Sequence, residues 1–290
     1  MSKIGFLTDS CSDIPQELAD KYGIEVVGFP INLDGVEYME RKDFTNDQFY
    51  QMMRDAQGVP TTAAITQLQW CEIYERYVDE GYTDVILMGI SSTASATYLR
   101  SKDAADLFFE NCPQAKESFR IHIIDSKTFS LGYGYPLTQA AQMIQDGKTA
   151  EEILAYLTDW VERIDLYITA FSFEFIKKSG RISCAASIVG EALGIRPVIR
   201  LYQGEITIFS KARGNNIVLQ RIAQIAQDNI AKDSPLLMLD GTLPDMNEEM
   251  RDLLQKKLNR KPDMVQDVGC AVSINSGPKM LGIGFLRQKG

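Results

Sequence analysis

IGFLTDSCSD, residues 4–13, is an apolar run that stops in a cluster of hydroxyl and carboxyl side chains. The same happens at VILMGISSTASATY (85–98), at IHIIDSKTFS (121–130) and, more weakly, at LLMLDGT (236–242). The repetition describes the carboxyl edge of a parallel sheet, where strand ends meet helix N-termini and ligands bind in the crevice. Serine and threonine at such an edge cap helices, bind anions, or do both.

Outward from these strands, strand and helix alternate through the first half. Strands are expected at 4–7, 25–33, 85–89 and 120–124, with helices at 15–22, 45–57, 68–79, 95–110 and 131–146. That order implies right-handed βαβ units on a parallel sheet. Near residue 160 the order changes. A helix at 150–163 leads into DLYITAFSF (165–173), an apolar β-rich run. A short helix follows at 188–193, then a hairpin in RPVIRLYQGEITIFSKARG (196–214) that turns at Gly204. Helices are expected at 214–230 and 247–258 around a strand at 236–239, and VGCAVSINSGPKMLGIGFL (268–286) reads as two strands joined by a Gly-Pro turn. The expectation is an N-terminal α/β domain over 1–160 and a C-terminal α/β domain with a mixed sheet over 161–290.

The 290 residues are 45% hydrophobic and 24% charged, ordinary for a soluble globular chain. A net charge of −9 is a poor basis for general nucleic-acid binding, which needs a basic face. The cysteines, Cys11, Cys71, Cys112, Cys184 and Cys270, are odd in number and include no C-x-x-C pair. This argues for a reducing cytoplasm and against a zinc site or a disulfide framework. The start MSKIGFLTDS turns polar too soon for a signal peptide. No apolar stretch approaches the roughly 18–20 residues of a membrane span. The single histidine, His122, lies inside an expected strand, which disfavours a Ser-His-Asp hydrolase or a histidine metal site. No P-loop, G-x-G-x-x-G, H-E-x-x-H or G-x-S-x-G pattern is present.

Five constellations remain. Residues 8–13 form an Asx/Ser turn and helix cap, or a polar wall. In PTTAAIT (60–66), Thr66 reads as an N-cap, while Thr61 and Thr62 are hydroxyls without an evident structural task. SSTASAT (91–97) holds more hydroxyls than one cap needs, a composition suited to a single carboxylate head group. In FIKKSGRI (175–182) the basic cluster reads as a solvated Gly turn, or as Arg181 facing inward to neutralise an acid. The fifth is INSGP (274–278) with Gly282 and Gly284, whose glycines read as turns of a C-terminal hairpin or as sites of close backbone approach to a ligand.

In order and spacing, TDSCSDIP (8–15), PTTAAIT (60–66), GISSTASATY (89–98), IDSKTFSLGYG (124–134), FIKKSGRIS (175–183), KARG (211–214) and NSGPKMLGIGF (275–285) resemble the DegV family, in particular the fatty-acid-binding subunit of bacterial fatty acid kinase. The resemblance runs nearly end to end. It implies a three-layer α/β/α N-terminal domain on a parallel sheet, a two-layer C-terminal domain on a mixed sheet, and a long-chain fatty acid between them. It also implies a carboxylate held by Thr62 and by Ser92 or Ser95, with Thr61, Arg181 and Asn275 nearby. Lys211 and Arg213 match the surface used by the ATP-binding kinase subunit. The implied protein is a cytoplasmic carrier with no catalytic residues, metal or cofactor of its own. It does not insert stably into a membrane, although transient membrane contact fits the role. Three departures from the family pattern stand out: Ala63-Ala64-Ile65-Thr66 stands for Ser-Gln-Pro-Ser, Ala96 for a glycine, and Asn275 for a histidine. Asparagine donates hydrogen bonds but carries no charge, so the carboxylate network is altered. The competing expectations are a small-molecule kinase or transferase-like α/β protein, and a binder of a smaller anionic metabolite.

Overall fold

The chain begins with β1 (Ile4–Asp9), a buried strand that ends in a 3-10 turn at Ser10–Ser12. The computed structural model describes residues 3–180 and 194–288. After the turn come α1 (Gln16–Tyr22), β2 (Ile24–Val27), β3 (Pro30–Leu33), β4 (Val36–Met39), α2 (Asn46–Asp55), β5 (Thr61–Thr62) and α3 (Gln67–Asp79). Next are β6 (Asp84–Gly89), α4 (Thr97–Asn111), β7 (Arg120–Asp125), α5 (Leu131–Gln145) and α6 (Ala150–Arg163). The rest is β8 (Ile164–Ala170), α7 (Glu174–Ser179), β9 (Ile195–Tyr202), β10 (Glu205–Arg213), α8 (Asn215–Asn229), β11 (Leu236–Asp240), α9 (Pro244–Leu258), β12 (Met264–Asp267), α10 (Cys270–Ser276) and β13 (Met280–Leu286).

Among the described residues, β2-β1-β6-β7 form a four-stranded parallel sheet. A six-stranded mixed sheet runs β10-β9-β8-β13-β11-β12, with β11–β12 its parallel pair. Local chemistry sets the helix starts. Thr45, Thr66 and Thr149 each accept from the backbone three residues on, and Gln48, Gln69 and Glu152 reach back to complete capping boxes. Helix α3 packs on α4, and α5 packs on α1 and α6.

The mixed sheet faces two cores because side chains alternate along a strand. Leu166, Ile168, Leu237 and Leu239 point toward the parallel half. Tyr167, Leu236, Met238, Leu281 and Ile283 point the other way, under α8 and α9. At about 25 cal/mol per Å² of buried apolar surface, the two faces make this sheet the structural hub of the chain.

Three expectations change. EVVGFPINL is two strands: β2 joins the parallel sheet, whereas β3 joins a small antiparallel sheet, β4-β3-β5. The break falls at Gly28, where a Cβ would lie 2.2 Å from the Glu40 carbonyl oxygen, next to Pro30, which has no N–H for a ladder. GCAVSIN is α10, not a strand; its residues are buried on nearly every side, so no periodicity marks it. FIKKS lies in helix α7, not a loop; Lys177 and Lys178 sit in its last turn, where cations suit the dipole, and Gly180 ends it in the left-handed conformation. The strand β12 was not anticipated. The helix expected at 188–193 lies outside the described residues.

Candidate functional site

Most hydroxyls at the parallel sheet's carboxyl edge are occupied within the protein. Ser10 donates to Glu40 and accepts from the Phe29 amide at 3.0 Å. Ser92 donates to Asp125, at the end of β7. Thr93 donates to the Gly204 carbonyl at 2.7 Å, and Ser130 donates to Asp13. Ser126 donates to the Thr128 carbonyl at 3.1 Å. These bonds shape turns and join loops.

Between the two sheets lies a cavity of about 240 Å³. From the parallel half it is lined by Cys11, Phe29, Ile90, Phe129 and the loops 62–64 and 94–96. The mixed sheet supplies Ile168, Ile199, Leu201 and Ile206, and α10 supplies Ala271, Val272, Asn275 and Ser276. The lining is apolar apart from Thr62, Ser95, Asn275, Ser276 and the Cys11 thiol, the composition expected of a ligand site with a few orienting polar groups.

The polar groups are held by backbone order. Thr62 pairs with Ile31 in the small sheet, and the Ala63 amide donates to Pro30 at 2.9 Å. Arg100 of α4 donates to the Ala64 carbonyl at 2.9 Å, and the Ile65 amide donates to the Thr97 hydroxyl at 3.3 Å, so loop 62–65 is tied to the α4 N-terminus. Ser95 sits in that N-terminus: its hydroxyl donates to Thr97 Oγ1 at 3.0 Å and accepts from the Thr97 amide at 3.2 Å. Asn275 spends one amide hydrogen on the Ala271 carbonyl at 2.8 Å, leaving a second. Ser276 donates to the Val272 carbonyl at 2.9 Å.

Of the residues expected from sequence, Thr62, Ser95 and Asn275 are brought together on the cavity. Thr61 and Ser92 are not among its lining. Thr61 is exposed on the opposite side of the two-residue strand from Thr62. Arg181 lies outside the described residues. Lys211 and Arg213 are exposed on β10, an edge strand. Gly282 allows close approach of protein rather than ligand, since a Cβ there would lie 2.8 Å from Ile168. Ser276, part of the C-terminal constellation, also lines the cavity. Arg100 carried no sequence signal, since it serves through a tertiary contact with the Ala64 carbonyl.

Behind the cavity wall, Asp9, Asp13 and Glu40 are buried together. Burial pushes the Asp9 carboxyl up to about 6, against hydrogen bonds from Tyr133 and the Ile90 and Cys11 amides. Burial pushes Asp13 up to about 8, opposed by Ser130. Glu40 is raised by burial too, against bonds from Ser10 and the Ala271 amide. No group of three or more His, Cys, Asp or Glu able to hold a metal ion occurs among the described residues. No helix among them is long and apolar enough to cross a membrane.

Fold and cavity define an α/β protein with a mostly apolar site between its two larger sheets. The chain belongs to the DegV family: the family profile, described as an uncharacterised protein family, matches residues 3–288. The DegV domain-containing protein TTE1491 of Caldanaerobacter subterraneus subsp. tengcongensis is 29% identical over 289 residues, 98% of this chain and 99% of that one. A stearic acid-binding protein from Eubacterium ventriosum superposes with a TM-score of 0.87 at 25% identity, covering 99% of this chain and 98% of that one. A fatty acid binding DegV family protein, SAG1342 of Streptococcus agalactiae, shares the fold with a TM-score of 0.87 at 23% identity and full coverage of both chains.

Proposed function

We propose that this chain binds a long-chain fatty acid in the cavity between the sheets and presents its carboxylate to a separate ATP-binding kinase subunit. The observation that carries the reading is the cavity's lining: aliphatic and aromatic side chains from both halves, with Thr62, Ser95, Asn275, Ser276 and the Cys11 thiol as polar exceptions. Burying an acyl chain gains roughly 0.8 kcal/mol per methylene. A carboxylate must not be buried unpaired; the Thr62 hydroxyl and the second Asn275 amide hydrogen supply donors for it, and Ser95 adds one by turning its O–H away from Thr97 Oγ1. The stearic acid-binding relative supports the ligand class. The division into domains 1–160 and 161–290, with the ligand between them, belongs to this reading. So do a cytoplasmic setting and a kinase contact through Lys211 and Arg213. Arg181 is retained as a neighbour of the carboxylate on the resemblance alone.

A small polar metabolite fits the apolar lining poorly. The sequence has no nucleotide motif, so the phosphate donor is assigned to the partner. The test is extraction of the purified protein followed by mass spectrometry. A co-purifying fatty acid, or stoichiometric uptake of added palmitate or oleate, is expected. Absence of both overturns the reading, and ATP binding by the chain alone would favour a kinase or transferase.

A further inference from the structure

The wall that closes the acyl cavity on the α10 side has a polar back. Cys11, Phe29, Ala271 and Val272 line the cavity. Their neighbours Ser10, Asp13, Glu40 and Gly269 line a separate polar cleft of about 290 Å³. Two sites thus share one partition, and α10 crosses it. The helix is docked there by carboxylates from the other half of the chain. Glu40 Oε1 accepts from the Ala271 amide at 3.0 Å. Asp13 Oδ1 is buried against Gly269, whose amide opposes the upward push of burial on this carboxyl, and so close that a Cβ on Gly269 would fall 2.2 Å away. Tyr50 completes the seat, donating to the Val268 carbonyl and lying 2.9 Å from the Ser273 hydroxyl.

We propose that Glu40 and Asp13 are positioning residues that seat the first turn of α10, and that proton loss from this pair unseats the helix and loosens the acyl cavity. The lipid half of this inference rests on the fatty-acid reading above. Neither carboxyl touches the cavity. Each acts through α10, which carries Ala271, Val272, Asn275 and Ser276 to it.

The groups facing the pair are Asp9 at the end of β1, Arg41, Tyr50 of α2, Tyr133 of α5, and Cys270 of α10. Burial pushes Tyr50, Tyr133 and the Cys270 thiol upward, so all three stay neutral across the working range. Arg41 is the one cation among these facing groups, and its guanidinium already donates to the Ile14 carbonyl and to Gln16. Only carboxyls change charge. Two like charges buried side by side favour keeping a proton. Asp13, raised to about 8, keeps one well past the range in which a solvated carboxyl ionises. The seated state therefore holds protons that the unseated, solvated state gives up. Raising the pH from about 4 toward 8 shifts the balance to the unseated state, by at most about tenfold per pH unit for each proton involved. The polar cleft gives those protons a route to water that bypasses the acyl cavity.

The test uses the full chain and two measurements from pH 5 to 8. Amide hydrogen exchange of residues 271–276, corrected for intrinsic rates, needs no lipid. The dissociation rate of a fluorescent C18 acid reports the cavity. In the unmodified protein, α10 protection should fall and acid release should quicken as pH rises. Glu40→Gln and Asp13→Asn should flatten both profiles, and Glu40→Asp should restore a slope. A pH-independent α10 in the unmodified protein overturns the proposal, even if no variant folds. Equal slopes in folded variants overturn it too. An α10 that follows pH in a chain taking up no fatty acid would refute the lipid reading and leave the latch standing.

Discussion

The hydroxyl of Thr93 donates to the carbonyl of Gly204 at 2.7 Å, joining a loop of the parallel half to the turn of the β9–β10 hairpin. Beside it, the Gly204 amide donates to the Lys127 carbonyl at 3.0 Å, and Lys127 Nζ donates to Gln203 at 2.9 Å. The hairpin bearing Ile199, Leu201 and Ile206 is thus fastened to the opposite wall of the cavity at its tip.

Thr93→Val removes the donor and leaves the Gly204 carbonyl short of a partner. The expected cost is about 1–2 kcal/mol in denaturant unfolding, with faster exchange of bound fatty acid. An unchanged exchange rate would mean that the hairpin tip does not control access.

Ser95 and Ser92 should separate cleanly. Ser95→Ala and Thr62→Val each remove a neutral donor to a charged group, worth about 1.5–3 kcal/mol, so calorimetric affinity for oleate should fall about 10- to 100-fold. Ser92→Ala should leave affinity unchanged and lower stability, because the lost bond is to Asp125.

Asp9 gives a stability signature. Its carboxyl, at the end of β1, is raised by burial to about 6. A folded value above the unfolded one makes the folded state bind more protons between them, so this group's contribution to stability falls as pH rises from about 4 to 6, then levels. Asp9→Asn removes that slope. Even with its oxygen kept on Cys11 and Tyr133, the new amide group sets its hydrogens against the Ile90 amide, at a cost of about 1–3 kcal/mol in urea melts at pH 7.

Arg213→Glu tests the partner surface. The side chain is exposed on an edge strand and absent from the cavity lining, so fatty acid affinity should stay within about twofold of the unmodified protein. Acyl-phosphate formation with the kinase subunit should be abolished. Loss of lipid binding would show that the residue serves the cavity.

The parallel strands were legible because each pairs a short apolar run with polar side chains at its carboxyl end, a pattern that needs only local sequence. The small sheet was not. A two-residue strand such as Thr61–Thr62 has no period to read. Helix α10 was taken for a strand because burial on almost every side erases amphipathic spacing. Within the site, Thr62, Ser95 and Asn275 were found through family motifs. That Ser95 and not Ser92 lines the cavity shows only in the structure, where Ser92 bonds Asp125. Glu40 carried no signal, since its partner Ala271 lies 231 positions away. Asp13 was visible only as a candidate helix cap.

β10 also bears on how the protein avoids itself. Among the described residues it pairs only with β9. Its register shifts between Ile208 and Ser210, and Lys211 and Arg213 follow on its exposed face. A bulge and two cations are what keep a bare edge from recruiting another copy's strand. Lys211 and Arg213, the contact proposed above, would then guard this edge as well, and neutralising both should favour self-association.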